Sequence, residues 1–131
     1  MPRKTYEKIL KDKTIMIVDD DERNRFALSS YLDTLDMNII TANDGGAAMG
    51  MLRSGKTIDL VLLDIMMPVM DGFEMLRILR EDALLKHIPV IAVTAKAMKG
   101  DDARCLEAGA SDYIPKPIDL NTLIKKMAKW L

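Results

Sequence analysis

Acidic residues follow two apolar runs in this chain. Asp19, Asp20 and Asp21 come directly after TIMIV, and Asp64 comes directly after IDLVLL. Carboxylates crowded together repel one another, by ~4 kcal/mol for two that lie ~4 Å apart at an effective dielectric constant near 20. A hard divalent cation removes that cost, and Mg²⁺ is the ion expected where oxygen ligands and phosphate meet, although Mn²⁺ fits the same ligands. The pattern indicates a metal site if the two runs are neighbours.

Two further polar residues stand at the ends of apolar runs. Thr94 follows IPVIAV, and Lys116 lies in PKP, directly after DYIP. A hydroxyl donates to an oxyanion, and an ammonium pairs with a carboxylate or a phosphoryl group. Together with the acidic residues, such a set can bind, transfer or accept a phosphoryl group. The chain has no GxxxxGK[ST] loop, so nucleotide binding is not indicated.

The elements that must position these residues alternate between strand and helix five times. Three of the apolar runs lack the alternation of a half-exposed strand, which is typical of parallel strands covered on both faces. Right-handed crossovers then favour a doubly wound five-stranded parallel α/β sheet of order 2-1-3-4-5, with its site at the carboxyl ends of the strands. Strands are predicted at 14–18, 38–42, 58–63, 88–93 and 112–115, and helices at 21–35, 44–55, 71 to about 80, 95–109 and from about 119 to the end.

Composition narrows the class of protein. The chain has 131 residues, enough for one domain, and a formal net charge of -1, so no bulk charge attracts it to nucleic acid or anionic membranes. One cysteine, Cys105, excludes an internal disulfide and suits a cytoplasmic location, and no apolar run is long enough for membrane insertion. The charged residues 1–12 are predicted to be a tail or linker rather than a docking helix, which leaves 13–131 as the domain.

Four motifs resemble those of the receiver domain of two-component response regulators. They are IVDDD, LLDIMMPVMDG, VTA and YIPKP, and the resemblance covers about residues 13 to 131. Some segments of the chain are most similar to receivers of phosphorelays and hybrid histidine kinases. It implies a flavodoxin-like (βα)5 fold. It also implies that a histidine kinase or histidine phosphotransfer protein donates a phosphoryl group to Asp64, and that a downstream protein, which the sequence does not identify, reads the change.

The resemblance also implies a metal site and its ligands. Asp64 would be the phosphoryl acceptor, and Asp20 would bind Mg²⁺ directly. Asp19 would lie beside it and act mostly through water. The backbone carbonyl of Met66 would be a further ligand.

Other roles that the resemblance implies concern the rim of the site. Thr94 would bind a phosphoryl oxygen, and Lys116 would pair first with the acceptor carboxylate and then with the phosphoryl group. Tyr113 occupies the position of the family's switch aromatic residue. The bond between Lys116 and Pro117 is expected to be cis. Asp21 is predicted to cap the first helix of the domain.

Two residues of this chain depart from the pattern of the family. Met66 and Lys96 are long side chains where many relatives carry a polar and a small residue, which favours slow loss of the phosphoryl group.

A Mg²⁺-dependent phosphohydrolase with an aspartyl-phosphate intermediate is one alternative function, but DIMMP lacks a second acid two residues after Asp64. A receiver-like module that binds partners without phosphorylation is another. The chain is either a free-standing regulator or a receiver excised from a hybrid kinase. His87 is predicted to be a surface residue and Cys105 a packed one.

Overall fold

Five strands and six helices make up the computed structural model, which describes residues 3–67, 72–94 and 101–131. The strands are β1 (Thr14–Val18), β2 (Asn38–Ala42), β3 (Leu60–Asp64), β4 (Val90–Thr94) and β5 (Asp112–Pro115). The helices are α1 (Arg3–Leu10), α2 (Glu22–Asp33), α3 (Gly45–Arg53), α4 (Gly72–Glu81), α5 (Asp101–Glu107) and α6 (Leu120–Trp130).

The sheet is parallel throughout, in the order β2-β1-β3-β4-β5, which confirms the predicted fold. Every residue of β3 and β4 is buried, as is β1 after its first residue, because helices cover both faces of the sheet. Two apolar clusters result. One packs α3, α4 and α5 against one face, and the other packs α1, α2 and α6 against the opposite face. The carboxyl ends of the strands therefore meet at one edge.

Several local predictions are confirmed. The carboxylate of Asp21 caps α2 by accepting the backbone N–H of Arg23 at 2.8 Å. The Lys116–Pro117 bond is cis. Cys105 is fully buried on α5, and His87 is exposed. The predicted helix 95–109 is observed as α5, Asp101–Glu107, whereas Lys96 and the predicted helix start at Asp71 lie outside the described residues.

The N-terminal segment differs from the expected tail, because residues 3–10 form helix α1 and pack on α6. Leu10 is fully buried, and Tyr6, four residues before it, packs against the same cluster. This spacing places both side chains on one face of the helix, so the pair buries an apolar stripe although the segment is mostly charged. The boundary of the domain at residue 13 stays a prediction.

Substitution of Leu10 by alanine tests whether α1 belongs to the folded unit. We expect the free energy of unfolding to fall by about 2–4 kcal/mol, as for other fully buried leucines. Denaturant unfolding followed by circular dichroism measures it. Lys11→Ala, at an exposed neighbouring position, is the control and should change it by less than ~0.5 kcal/mol. Equal effects of the two substitutions would show that α1 does not pack on the domain.

Candidate functional site

Four strand ends bring the predicted site residues to one edge of the sheet. Val18 pairs with Leu63 across β1 and β3, so the residues that follow them, Asp19 and Asp64, are neighbours. On the other side, β4 ends at Thr94, which pairs with Pro115 of β5, the residue before Lys116. These residues are far apart in the sequence, but the order of the strands in the sheet makes them neighbours.

The acidic residues form a compact cluster. Asp19, Asp20 and Asp64 each offer one carboxylate oxygen, and these atoms all lie within 4.8 Å of one another. Asp19 and Asp64 are each 4% exposed, whereas Asp20 is exposed to solvent. Three hard oxygen donors at this spacing, one of them open to water, suit a small divalent cation that keeps part of its hydration shell. The cluster could hold a metal ion.

Lys116 partly neutralises this cluster. Its Nζ lies 3.2 Å from Oδ2 of Asp64 and 3.9 Å from Oδ2 of Asp19. The side chain of Lys116 is 35% exposed, so it reaches the buried carboxylates from the rim of the sheet. The three aspartates carry more negative charge than one ammonium balances, and the site keeps a net attraction for cations.

Asp19 is fixed by several hydrogen bonds. Its Oδ1 accepts the backbone N–H of Asp21 at 2.9 Å, and Nη1 of Arg25 donates to its backbone carbonyl at 2.7 Å. Burial raises the pKa of Asp19. The N–H of Asp21 acts against this rise, the charge of Asp64 adds to it, and Lys116 and a hydrogen bond with Asn24 oppose it. The net rise shows that the ionised carboxylate lies in an unfavourable environment.

The carboxylate of Asp64 is oriented at both oxygens. Oδ1 accepts the backbone N–H of Met66 at 2.9 Å, and Oδ2 faces Lys116. The side chain of Met66 is 65% exposed. Ligation of a metal by the carbonyl of Met66 stays a prediction. Thr94, 4% exposed, ends the strand next to Asp64.

Tyr113 lies on β5, three residues before Lys116, and is half-buried. The ammonium of Lys126 lies over its ring, 5.1 Å from the centroid, and also bonds Oδ1 of Asp112 at 2.9 Å. The indole of Trp130 donates to Oδ2 of Asp112 at 3.2 Å. Helix α6 thus holds the region around Tyr113 through charged and aromatic contacts. A switching role for Tyr113 stays a prediction.

Sequence reasoning missed Asn24 and Arg25, which contact Asp19 from the first turn of α2. A signal was present: both follow the cap Asp21 within one helical turn, which places them above the end of β1. Lys126 was also missed, because its contact with Tyr113 depends on how α6 packs on β5 and not on a local spacing.

The chain matches the sequence pattern of a known protein family. The sequence pattern of the response regulator receiver domain matches residues 15–128. This chain belongs to that family. It is therefore a receiver domain of the two-component class, and its acidic cluster lies where four strand ends of that domain converge.

Relatives of this receiver span both short and long proteins. Response regulator PleD from Caulobacter vibrioides is 44% identical over 105 residues, which are 80% of this chain and 23% of PleD. The chain thus spans about a quarter of that relative. Polar-differentiation response regulator DivK from Brucella anthropi is 38% identical over 119 residues, 91% of this chain and 96% of DivK.

A solved structure agrees with the fold. The receiver domain of the Saccharomyces cerevisiae response regulator Ssk1, crystallised with the histidine phosphotransfer signaling protein Ypd1, superposes with a TM-score of 0.84 at 25% identity. The match covers 92% of this receiver and 90% of that chain. Among the helices described for this receiver, none has both the length and the apolar character needed to cross a membrane.

Substitution of Asp19 by asparagine should stabilise the metal-free receiver. Two unit charges at most 4.8 Å apart repel by at least ~3 kcal/mol at an effective dielectric constant near 20. Lys116 offsets part of this repulsion, so we expect a gain of about 1 kcal/mol at pH 7. Denaturant unfolding in chelator measures it.

The gain should depend on pH in a defined direction. Because the folded-state pKa of Asp19 is raised, its ionisation opposes folding above that pKa, and the gain should vanish as the pH falls through it toward 3.8. Asp33→Asn, at an exposed site on α2, is the control. A destabilised Asp19→Asn protein at pH 7 would contradict the expected repulsion.

Proposed function

We propose that Asp64 of this receiver accepts a phosphoryl group from a phosphohistidine, carried by a histidine kinase or a histidine phosphotransfer protein. The observation that supports this most is the position of Asp64. It lies between the other two carboxylates, the ammonium of Lys116 and the end of β4 at Thr94. The Ssk1 receiver, which has the same fold, was crystallised with a histidine phosphotransfer protein, which favours a donor of that class.

The transfer is an in-line displacement at phosphorus. A carboxylate oxygen of Asp64 attacks, the P–N bond to the imidazole breaks, and the electron pair stays on the histidine nitrogen, which leaves an acyl phosphate on Asp64. Asp19, Asp20, Asp64 and the carbonyl of Met66 would hold Mg²⁺, which would supply neutralisation of charge on the phosphoryl oxygens. The N–H of Met66 and the ammonium of Lys116 orient the attacking carboxylate.

The charge that arrives at Asp64 changes the contacts around it. Lys116 exchanges its bond to the carboxylate for one to a phosphoryl oxygen, and the hydroxyl of Thr94 donates to another. A movement of Thr94 would affect Tyr113, because Thr94 ends β4 and Tyr113 lies on β5, the strand that pairs with β4. The face formed by β5, α5 and α6 then favours a different downstream protein, which is a shift of population between two states.

The proposal describes a switch and not an enzyme with a separate substrate. Met66 stands two residues after Asp64, where a phosphohydrolase of this chemistry needs an acid. The proposal includes a cytoplasmic location, which suits a chain with one cysteine, and no direct contact with nucleic acid.

Intact-mass spectrometry after incubation with acetyl phosphate tests the proposal. We expect one added phosphoryl group that requires Mg²⁺ and is absent from Asp64→Asn, while the exposed-site control Asp33→Asn is modified like the parent. A histidine-phosphorylated phosphotransfer protein serves as second donor. Modification of Asp64→Asn, or failure with both donors, would reject the proposal.

The lifetime of the phosphoryl group gives a further prediction. The exposed side chain of Met66 lies beside Asp64 and has no group that orients a water molecule for attack. We expect a lifetime longer than seconds in Mg²⁺ and a several-fold shorter one for Met66→Asn, measured by loss of the added mass. Leu84→Asn, at an exposed apolar site in the loop before β4, is the control. An unchanged lifetime in Met66→Asn would contradict this reason.

A further inference from the structure

A cavity of about 650 Å³ lies between α2 and the segment that leads into α6, and reaches the acidic cluster. Its floor consists of residues from β1, β3 and β4, and its walls are mostly apolar. This volume lies within the range of small-molecule sites, which are largely apolar with a few polar groups at one end. The main lining residues are Ile17, Leu62, Val93, Leu28, Tyr31 and Ile118.

Polar groups line this cavity at the end that meets the cluster. The polar lining residues are Asp19, Asp64, Asn24 and Lys116, and both aspartates are 4% exposed. Lys116 is already engaged by Asp64 at 3.2 Å, and Asp20 adds a third carboxylate within 4.8 Å. A ligand that enters along the apolar walls therefore meets a net negative charge. An anionic head group would be repelled, and a cationic one attracted.

We propose that this cavity binds an amphiphilic amine, with an aromatic or branched apolar body and a protonated primary amine. The body lies against Leu28, Tyr31 and Ile118, and the ammonium faces Asp19 and Asn24, on the side away from Lys116. The cavity supplies the site, while the carboxylates select the charge of the head group. An ammonium with three N–H donors matches acceptors that the cavity presents at one end.

The site has a consequence for the metal. The amine and Mg²⁺ would use the same carboxylates, so each must weaken the binding of the other by the same factor. This antagonism is a property of binding and does not depend on phosphorylation. If Asp64 also accepts a phosphoryl group as proposed above, the amine slows that reaction. That second effect rests on the proposed function and is read out separately.

Titration calorimetry of the full chain in metal-free buffer at neutral pH tests the site with three probes of matched shape. These are 4-phenylbutylamine, 4-phenylbutan-1-ol and 4-phenylbutyrate. We expect the amine to bind roughly tenfold more tightly than the alcohol, a difference of ~1.4 kcal/mol, and the acid more weakly still. Excess Mg²⁺ should weaken the binding of the amine but not that of the alcohol or the acid. Equal binding of amine and alcohol, insensitivity to Mg²⁺ or no binding of the amine would overturn the proposal.

A substitution at the cavity wall locates the bound amine. Ala27 lines the cavity and is exposed on α2, so Ala27→Trp fills the entrance without replacing a core residue. We expect it to abolish amine binding, with circular dichroism unchanged. Ala103→Trp, at an exposed position of α5 on the other face of the sheet, should bind the amine like the parent. Amine binding that survives Ala27→Trp would place the ligand elsewhere and reject this site.

Discussion

Replacement of Gly72 by alanine is expected to lower the free energy of unfolding by roughly 3 kcal/mol. A Cβ at this position would lie 2.3 Å from the Cα of Ile65 and 2.8 Å from its Cβ and Cγ2. The nearest atom belongs to the backbone, and Ile65 is 1% exposed, so the clash cannot be relieved by rotation of a flexible side chain. The start of α4 must move away from the end of β3.

This clash also reaches the site. Ile65 directly follows Asp64, and its carbonyl accepts the N–H of Gly72 at 3.1 Å. A shift of this contact tilts the chain that orients the Asp64 carboxylate. If Mg²⁺ binds the acidic cluster as proposed, we therefore expect Gly72→Ala to reduce the stabilisation by Mg²⁺ as well as the global stability. Denaturant unfolding with chelator and with Mg²⁺ measures both effects.

Gly50 provides the matched control. It lies inside α3 and is exposed. Apart from its two chain neighbours and the nearby backbone of α3, no heavy atom of the described residues comes within 4 Å of a Cβ built there. Alanine at this helical position should stabilise the protein by about 0.5–1 kcal/mol. The same chemical change therefore has opposite signs at the two glycines. Similar effects of the two substitutions would show that α4 does not approach β3 this closely.

The fold and the convergence of the site residues were predictable because both depend on local patterns in the sequence. Continuous apolar runs specify strands buried on both faces, and the strand order follows from rules on crossovers. Once that order is given, Asp19, Asp64, Thr94 and Lys116 must meet, because each stands at a carboxyl end. No contact between distant side chains had to be guessed.

Features that depend on packing between distant elements were not predictable. Helix α1 is held by two apolar side chains, and their packing depends on the positions of α6 and the sheet. The approach of Gly72 to Ile65 depends on the height of α4 above β3. The contact of Lys126 with Tyr113 depends on the rotation of α6. In each case the sequence fits several packings, and the tertiary structure selects one.

Replacement of Lys116 by methionine is expected to slow phosphorylation by acetyl phosphate about 10²-fold, the usual cost of removing one preorganised charge from a reaction of this type. The ammonium lies 3.2 Å from Oδ2 of Asp64, the carboxylate that we propose accepts the phosphoryl group. Methionine keeps the apolar stem of the lysine and removes only the charge. The rate of mass increase in Mg²⁺ measures the effect, with Lys125→Met, at an exposed position of α6, as control.

The same substitution separates a catalytic loss from a structural one. Without Lys116 the repulsion between Asp19 and Asp64 is uncompensated, so the metal-free protein should be about 1 kcal/mol less stable, and Mg²⁺ should stabilise it more than the parent. A slow but Mg²⁺-responsive Lys116→Met protein has an intact acidic cluster and has lost only the charge that acts on the phosphoryl group. A rate within threefold of the parent would show that the ammonium neutralises the resting carboxylates and takes no part in the transfer.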